Sequence, residues 1–152
     1  MGDKPTSIRH ATDADATAIQ HCVKAAYHSY IERLGRPPGP MLDDYARVVQ
    51  QHHTYVVELD GKIVGLVVLI EQENGILLDN VAVDPAYQGK GIGRLLIDFA
   101  ETKSRELGYQ NLDLYTHELM TENIDMYKGL GYSETDRRTE KGFQRVYMRK
   151  VV

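Results

Sequence analysis

Val81 to Arg94 read VAVDPAYQGKGIGR: the apolar end of a strand, a stop at Asp84-Pro85, alternate glycines at Gly89, Gly91 and Gly93, and the start of a helical pattern. Proline has no N–H for a central ladder, so Asp84-Pro85 closes the strand before it. Glycines at a helix start cost about 1 kcal/mol of propensity each relative to alanine. Bare backbone there suits anion binding: it approaches a phosphate closely, and the first helical turn offers unpaired N–H groups at its positive dipole end. Lys90 and Arg94 add charge beside it. Two phosphate folds fit poorly. A P-loop lysine is followed by Ser or Thr, whereas Lys90 precedes Gly91, and a dinucleotide fingerprint spaces its glycines G-x-G-x-x-G. A glycine-rich helix entry without a ligand is the plain alternative.

Working outward, residues 91–107 read as a helix with Ile92, Leu95, Leu96, Phe99, Ala100 and Leu107 on one face and Gly108 as its stop. Upstream, strands at 54–59, 62–71 and 76–83 form an antiparallel meander turned at Asp60-Gly61 and Asn74-Gly75. Residues 7–10 are a short first strand. Thr12, Asp13 and Asp15 offer caps for a helix over 14–30. Residues 35–40 break regular structure, and a second helix covers 41–51. Downstream come a strand at 111–116, a helix over 121–130 capped by Thr121 and stopped by Gly131, and strands at 133–138 and 143–149 around Lys141-Gly142. The expected fold is α/β (α+β): a mixed, mostly antiparallel sheet of about seven strands flanked by about four helices, in a single domain over 1–152.

Composition narrows the function. A formal net charge of -4 is not the footprint of a nucleic-acid binder. Arg137, Arg138, Lys141, Arg145, Arg149 and Lys150 are interleaved with Glu134, Asp136 and Glu140 and read as a solvated hairpin. No apolar run approaches the ~20 residues of a membrane helix, and Met1 to Ser7 lack the apolar core of a secretory signal. The single cysteine, Cys22, reads as core and fits a reducing, cytoplasmic setting. No histidine spacing reads as a metal site.

The pattern Gln88-x-x-Gly91-x-Gly93 resembles the acyl-CoA pyrophosphate loop, Q/R-x-x-G-x-G/A, of the GNAT superfamily of N-acetyltransferases. The resemblance extends to the strand LDNVAV (Leu78 to Val83) and to NIDMYKGLGY (Asn123 to Tyr132), within an element order running from Ile8 to Met148. It implies acetyl-CoA as co-substrate, no metal, and direct transfer of acetyl to a primary amine of a small molecule or peptide in a ternary complex. Neither nucleic acid nor membrane is implied as a partner, and the protein would be a monomer or homodimer. The resemblance also implies that the third meander strand parts from the strand after the long helix. Backbone at Val81, Ala82 and Val83 would hold the pantetheine arm, with Val81 N–H polarising the thioester. N–H groups of Gln88, Gly89, Lys90, Gly91, Ile92, Gly93 and Arg94 would hold the pyrophosphate.

Tyr127 matches the family tyrosine that protonates or steadies the leaving thiolate; a core tyrosine on the Ile124–Leu130 face is the plain alternative. Many relatives carry asparagine where Met120 stands, and Asn123 either contacts the cofactor arm from a shifted place or sits in the first helical turn. Asp79 interrupts an apolar strand and is the first candidate for general base, acting through water; a structural carboxylate is the alternative, and a bulge would change the face it takes. Glu118 and His117 are rivals. Tyr27, Tyr30, Met41 and Tyr45 are candidates for the acceptor side, whereas Asp43 and Asp44 read as cap and surface charge. A non-catalytic acyl-CoA sensor and a nucleotide-phosphate enzyme are the competing functions.

Overall fold

The computed structural model describes residues 7–152; the expectations for residues 1–6 lie outside them. Strands β1 (Ser7–His10), β2 (His53–Leu59), β3 (Lys62–Gln72), β4 (Gly75–Val83), β5 (Asn111–His117), β6 (Ser133–Glu140) and β7 (Phe143–Val151) form one sheet in the order β1-β2-β3-β4-β5-β7-β6. Only the β4–β5 pair is parallel. Two of the three hairpin turns named above hold: Asp60 and Gly61 have φ of 52° and 79°, Lys141 and Gly142 of 52° and 81°, the two left-handed residues that a type I′ turn requires. The third falls one residue earlier than expected, at Glu73-Asn74, because Gly75 already pairs with Gln72.

The helices are α1 (Ala16–Tyr27), α2 (Tyr30–Leu34), α3 (Tyr45–Gln51), α4 (Ile92–Glu106) and α5 (Thr121–Gly129). They number five rather than about four, because the helix expected over 14–30 ends at Tyr27 and a separate turn of helix resumes at Tyr30. The expected 41–51 helix begins later, at Tyr45. A 3-10 turn at Gly39–Leu42 comes first, and the Asp44 carboxylate then caps α3 by accepting from Ala46 N at 3.1 Å and Arg47 N at 3.4 Å. No helix of the described residues is long and apolar enough to cross a membrane.

The core lies on both faces of the sheet. Val64, Val67 and Leu69 of β3 pack under α4, while Ile63, Leu66 and Val68 pack under α1 and α3. A strand covered on both faces gives the unbroken apolar run seen there. Helix α4 buries Ile92, Leu96, Ile97 and Ala100, but Leu95 and Leu107 are 36% and 38% exposed, contrary to the face expected. The stripe instead includes Glu101, whose carboxylate accepts from Tyr132 Oη at 2.9 Å and from Lys150 Nζ at 3.0 Å. With both oxygens hydrogen-bonded, the acid takes a buried place.

One feature of the sheet positions the site. Strands β4 and β5 pair only at Leu77 with Asp113 and Leu78 with Leu114. Beyond that point they run on to Val83 and His117 without pairing each other.

Candidate active site

The parting of β4 and β5 opens a cleft of about 380 Å³. Its walls are Asp79 to Val83, Tyr115 to His117, the turn from Tyr87 through Gly93, and side chains from α1, α2 and α5. The orientation of the β4 backbone follows from its ladder with β3. Asp84 N donates to Val64 O at 2.8 Å, and donors and acceptors alternate between the two edges of a strand. Ala82 and Asn80 therefore share the β3 edge, and Val81 and Val83 turn their N–H and C=O groups toward the gap. Side chains reach both gap-facing carbonyls: Tyr27 Oη donates to Val81 O at 3.1 Å and Gln88 Nε2 to Val83 O at 3.2 Å. The gap-facing N–H groups have no neighbouring strand to pair with. Ala82, by contrast, directs its backbone to β3, with its carbonyl 3.2 Å from where a Cβ on Gly65 would lie.

At the mouth, Gly89 and Gly91 have φ of 80° and 82°, and a Cβ at either would meet nothing within 4 Å. These glycines are required by backbone conformation and leave open space above the N-terminus of α4. Ile92 is buried, Lys90 is exposed with Nζ 5.5 Å from the Tyr87 ring centroid, and Arg94 pairs with Asp98 at 3.3 Å on the surface. A Cβ on Gly93 would stand 3.8 Å from Val83 Cγ2.

A bulge redirects Asp79. Asn80 pairs with Val68 and Leu78 with Leu69, so Asp79 has no partner on β3. Leu78 and Val81 both pack on the α4 side, while Asn80 turns to the other face, where its amide donates to Tyr45 Oη at 3.0 Å. Asp79 shares that face and accepts from Tyr115 Oη at 3.1 Å. Burial raises the Asp79 pKa above the ordinary carboxylate value; the hydrogen bond from Tyr115 and the charges of Arg145, His52 and Lys141 oppose it. Across the cleft, Tyr127 of α5 is buried and its ring stands edge-on to Tyr132 at 5.8 Å. Its hydroxyl forms no hydrogen bond with a described residue, and burial, then Tyr30, pushes its pKa up. A phenol in that state keeps its proton at neutral pH.

The remaining candidates separate into cleft and scaffold. Tyr27 and Tyr30 line the cleft. Tyr27 Oη also donates to Asn80 Oδ1 at 2.8 Å, so it fixes the bulged strand. Tyr45 is buried and donates to Pro40 O at 2.5 Å, and Met41 packs in the core beside it; neither lines the cleft. Asn123 lines the cleft with its amide 3.5 Å from Met120 Sδ, and Met120, rather than Thr121, is the N-cap of α5. His117 is in the lining with its ring edge-on to Phe143 at 6.1 Å; burial lowers its pKa. Glu118 is not in the lining: Gln144 donates to its carboxylate and Arg137 lies 3.9 Å away. Cys22 is buried in the α1 core, which pushes its thiol up to about 12 and leaves no thiolate for a relay.

Sequence reasoning missed three residues here. Asn80 ties Tyr27 to Tyr45. Tyr115 is on the face of β5 opposite Leu112 and Leu114, an alternation visible in the sequence. Arg145 is no part of a solvated hairpin: its side chain is 14% exposed, with the guanidinium 4.1 Å from the Tyr115 ring centroid and in the cleft lining.

The chain is similar to known proteins. Residues 18–132 match the family model described as the acetyltransferase (GNAT) family. An Escherichia coli (strain K12) protein named as the uncharacterised N-acetyltransferase YjgM is 33% identical over 138 residues, which cover 85% of this chain and 83% of that protein. Two solved structures superpose with a TM-score of 0.79. The ribosomal-protein-S18-alanine N-acetyltransferase of Escherichia coli is 20% identical, the match covering 97% of this chain and 94% of that one. The PaiA N-acetyltransferase of Thermoplasma acidophilum, in complex with coenzyme A, is 17% identical, with coverage of 98% and 100%.

Proposed function

The chain belongs to the GNAT family of acetyltransferases, and on that premise we propose that it transfers acetyl from acetyl-CoA directly to a primary amine in the β4–β5 cleft. One observation carries the reading: the unpaired edge of β4, the glycine turn, Asp79 and Tyr127 all open into the same space. The free N–H groups of Val81 and Val83 suit the amide-bearing arm of the donor, and the open backbone at Gly89 and Gly91 suits its pyrophosphate.

Each residue then has a task. Val81 N–H holds the thioester carbonyl and stabilises negative charge that grows on its oxygen. Asp79, its pKa raised by burial, takes the proton that the attacking amine must lose, directly or through water. Tyr127, held protonated by burial, gives its proton to the departing thiolate. Tyr115 aims Asp79, and Tyr27 and Gln88 hold the β4 carbonyls so that the neighbouring N–H groups stay directed at the gap. The buried, unreactive Cys22 supports direct transfer over an acyl-cysteine relay. We place the enzyme in the cytoplasm, where a lone thiol stays reduced.

The test is thermal unfolding with and without acetyl-CoA, followed by assay of free thiol release with an amine panel. Acetyl-CoA at about 100 times its Kd should add roughly 2.7 kcal/mol, while ATP and NAD add nothing. Absence of any shift with acetyl-CoA would end the proposal; a shift without thiol release to any amine would favour the sensor.

A further inference from the structure

The amine end of the cleft holds two opposite charges that are not paired with each other. Asp79 and Arg145 both line it, and both are fixed by Tyr115, the carboxylate through the hydroxyl at 3.1 Å and the guanidinium over the ring at 4.1 Å. Their charged ends are thus set apart by about the span of one phenol side chain. Arg145 is built into this place. Its side chain is 14% exposed, against 50% for Arg149 further along β7, and Gly39 of the loop before α3 lies against it, a Cβ there falling 3.7 Å from Nη2. Its Nη1 donates to Glu140 Oε2 at 3.2 Å, and its side chain also meets the Tyr147 hydroxyl. A guanidinium has five N–H donors in a planar fork, so donors remain for a ligand in the cleft that Arg145 lines.

Resting on the acetyl-transfer reading, we propose that the acceptor is an amino carboxylate, a small molecule whose reacting amine stands close to a carboxylate. Arg145 takes the carboxylate and Asp79 the ammonium before its proton is removed. The charge pattern fits this chemistry. A polyamine needs acidic groups in series, but Asp79 is the one acid among the residues that line the cleft, and it feels Arg145 and Lys141. A phosphate dianion would need more cations than one guanidinium already shared with Glu140. A carboxylate carries one charge and matches the fork geometry of arginine.

The experiment measures thiol release with free L-amino acids, each beside its carboxamide and its decarboxylated amine, and with spermidine. The expected result is a kcat/KM for the best amino acid at least about 100-fold above its carboxamide, because a site built to bind a polar group rejects the analogue without it. Arg145→Gln should lower that ratio to below about tenfold, through KM of the amino acid, with acetyl-CoA still raising the unfolding temperature as proof of a folded protein. Arg145→Lys, which keeps charge and loses the fork, should fall between. Turnover of carboxamides, plain amines or spermidine as fast as the amino acids would overturn this proposal alone. So would an unchanged ratio in folded Arg145→Gln. Acetyl-CoA binding without turnover of any amine would overturn the transfer reading, and this one with it.

Discussion

The proposed reaction gives two side chains opposite proton tasks, and their substitution should separate them. Tyr127→Phe removes only a hydroxyl that no described residue binds, so the packing against Tyr132 survives. We expect kcat to fall on the order of 10²–10⁴-fold, as for loss of a positioned acid, while the thermal shift given by acetyl-CoA stays. A near-wild-type kcat would return Tyr127 to the core. Asp79→Asn should also slow the reaction, but with a loss partly recovered at high pH where free amine is abundant, and with the wild-type rise of rate through the raised Asp79 pKa abolished. Stability should move the other way. A carboxyl whose pKa is raised by burial binds its proton more tightly in the folded chain, so folding weakens as pH climbs from 3.8 toward the folded value and stays weakened above it. The amide can still accept from Tyr115 without carrying charge, so Asp79→Asn should unfold at an equal or higher temperature at pH 7, the gain vanishing in acid. Asp79 stands out in the sequence as an acid in an apolar strand. The face it takes does not, because one unpaired residue reverses the alternation on which face counting depends.

Among the elements, the glycine turn and helix α4 were legible for a local reason: their conformations are dictated by residues beside them in the chain. Gly91→Glu tests the turn. A side chain at a φ of 82° costs roughly 1–2 kcal/mol and meets no protein atom within 4 Å. The variant should therefore fold with a modestly lower melting temperature yet lose the shift given by acetyl-CoA, since bulk and negative charge occupy the phosphate position. Gly65→Ala tests how α4 rests on β3. The new Cβ would stand 3.2 Å from Ala82 O, Ile92 Cγ2 and Leu96 Cδ1, one of them backbone. Overpacking of that kind costs about 1–3 kcal/mol, and chemical denaturation should show it as a lower midpoint at unchanged slope. Contacts between distant parts of the chain were not legible. Tyr27 finds Asn80 from 53 residues away, and Arg33 of α2 reaches Glu122 of α5 at 2.6 Å across 89 residues. The same holds for Arg145, whose side chain is enclosed although Gln144 before it and Arg149 further along β7 are exposed.

At the scale of the whole molecule, the sheet is two blocks of strands joined at one short contact, with one helix packed across both. Strands β1 to β4 carry α1 and α3, strands β5 to β7 carry α5, and α4 lies across both through Ile92, Leu96 and Ala100. The strand contact between the blocks is limited to Leu77 and Leu78 with Asp113 and Leu114. The proposed donor in the gap would replace the missing ladder, and its binding should be legible in the backbone itself. Amide hydrogen exchange gives a residue-by-residue prediction. With acetyl-CoA at about 100 times Kd, exchange that requires release of the ligand should slow by about 100-fold. The amides that slow should be Val81 and Val83 on the open edge of β4 and those of the turn from Gly89 to Arg94. Ala82 should change little, because its N–H is already spent on β3. Strand β6, Ser133–Glu140, lies at the far edge of the sheet and serves as the unperturbed control. If the turn were protected while Val81 and Val83 exchanged as before, the phosphates would sit where the glycines invite them but the arm would run elsewhere. Val81 N–H could then not hold the thioester carbonyl, and the reacting carbon would have to be sought away from Asp79 and Tyr127.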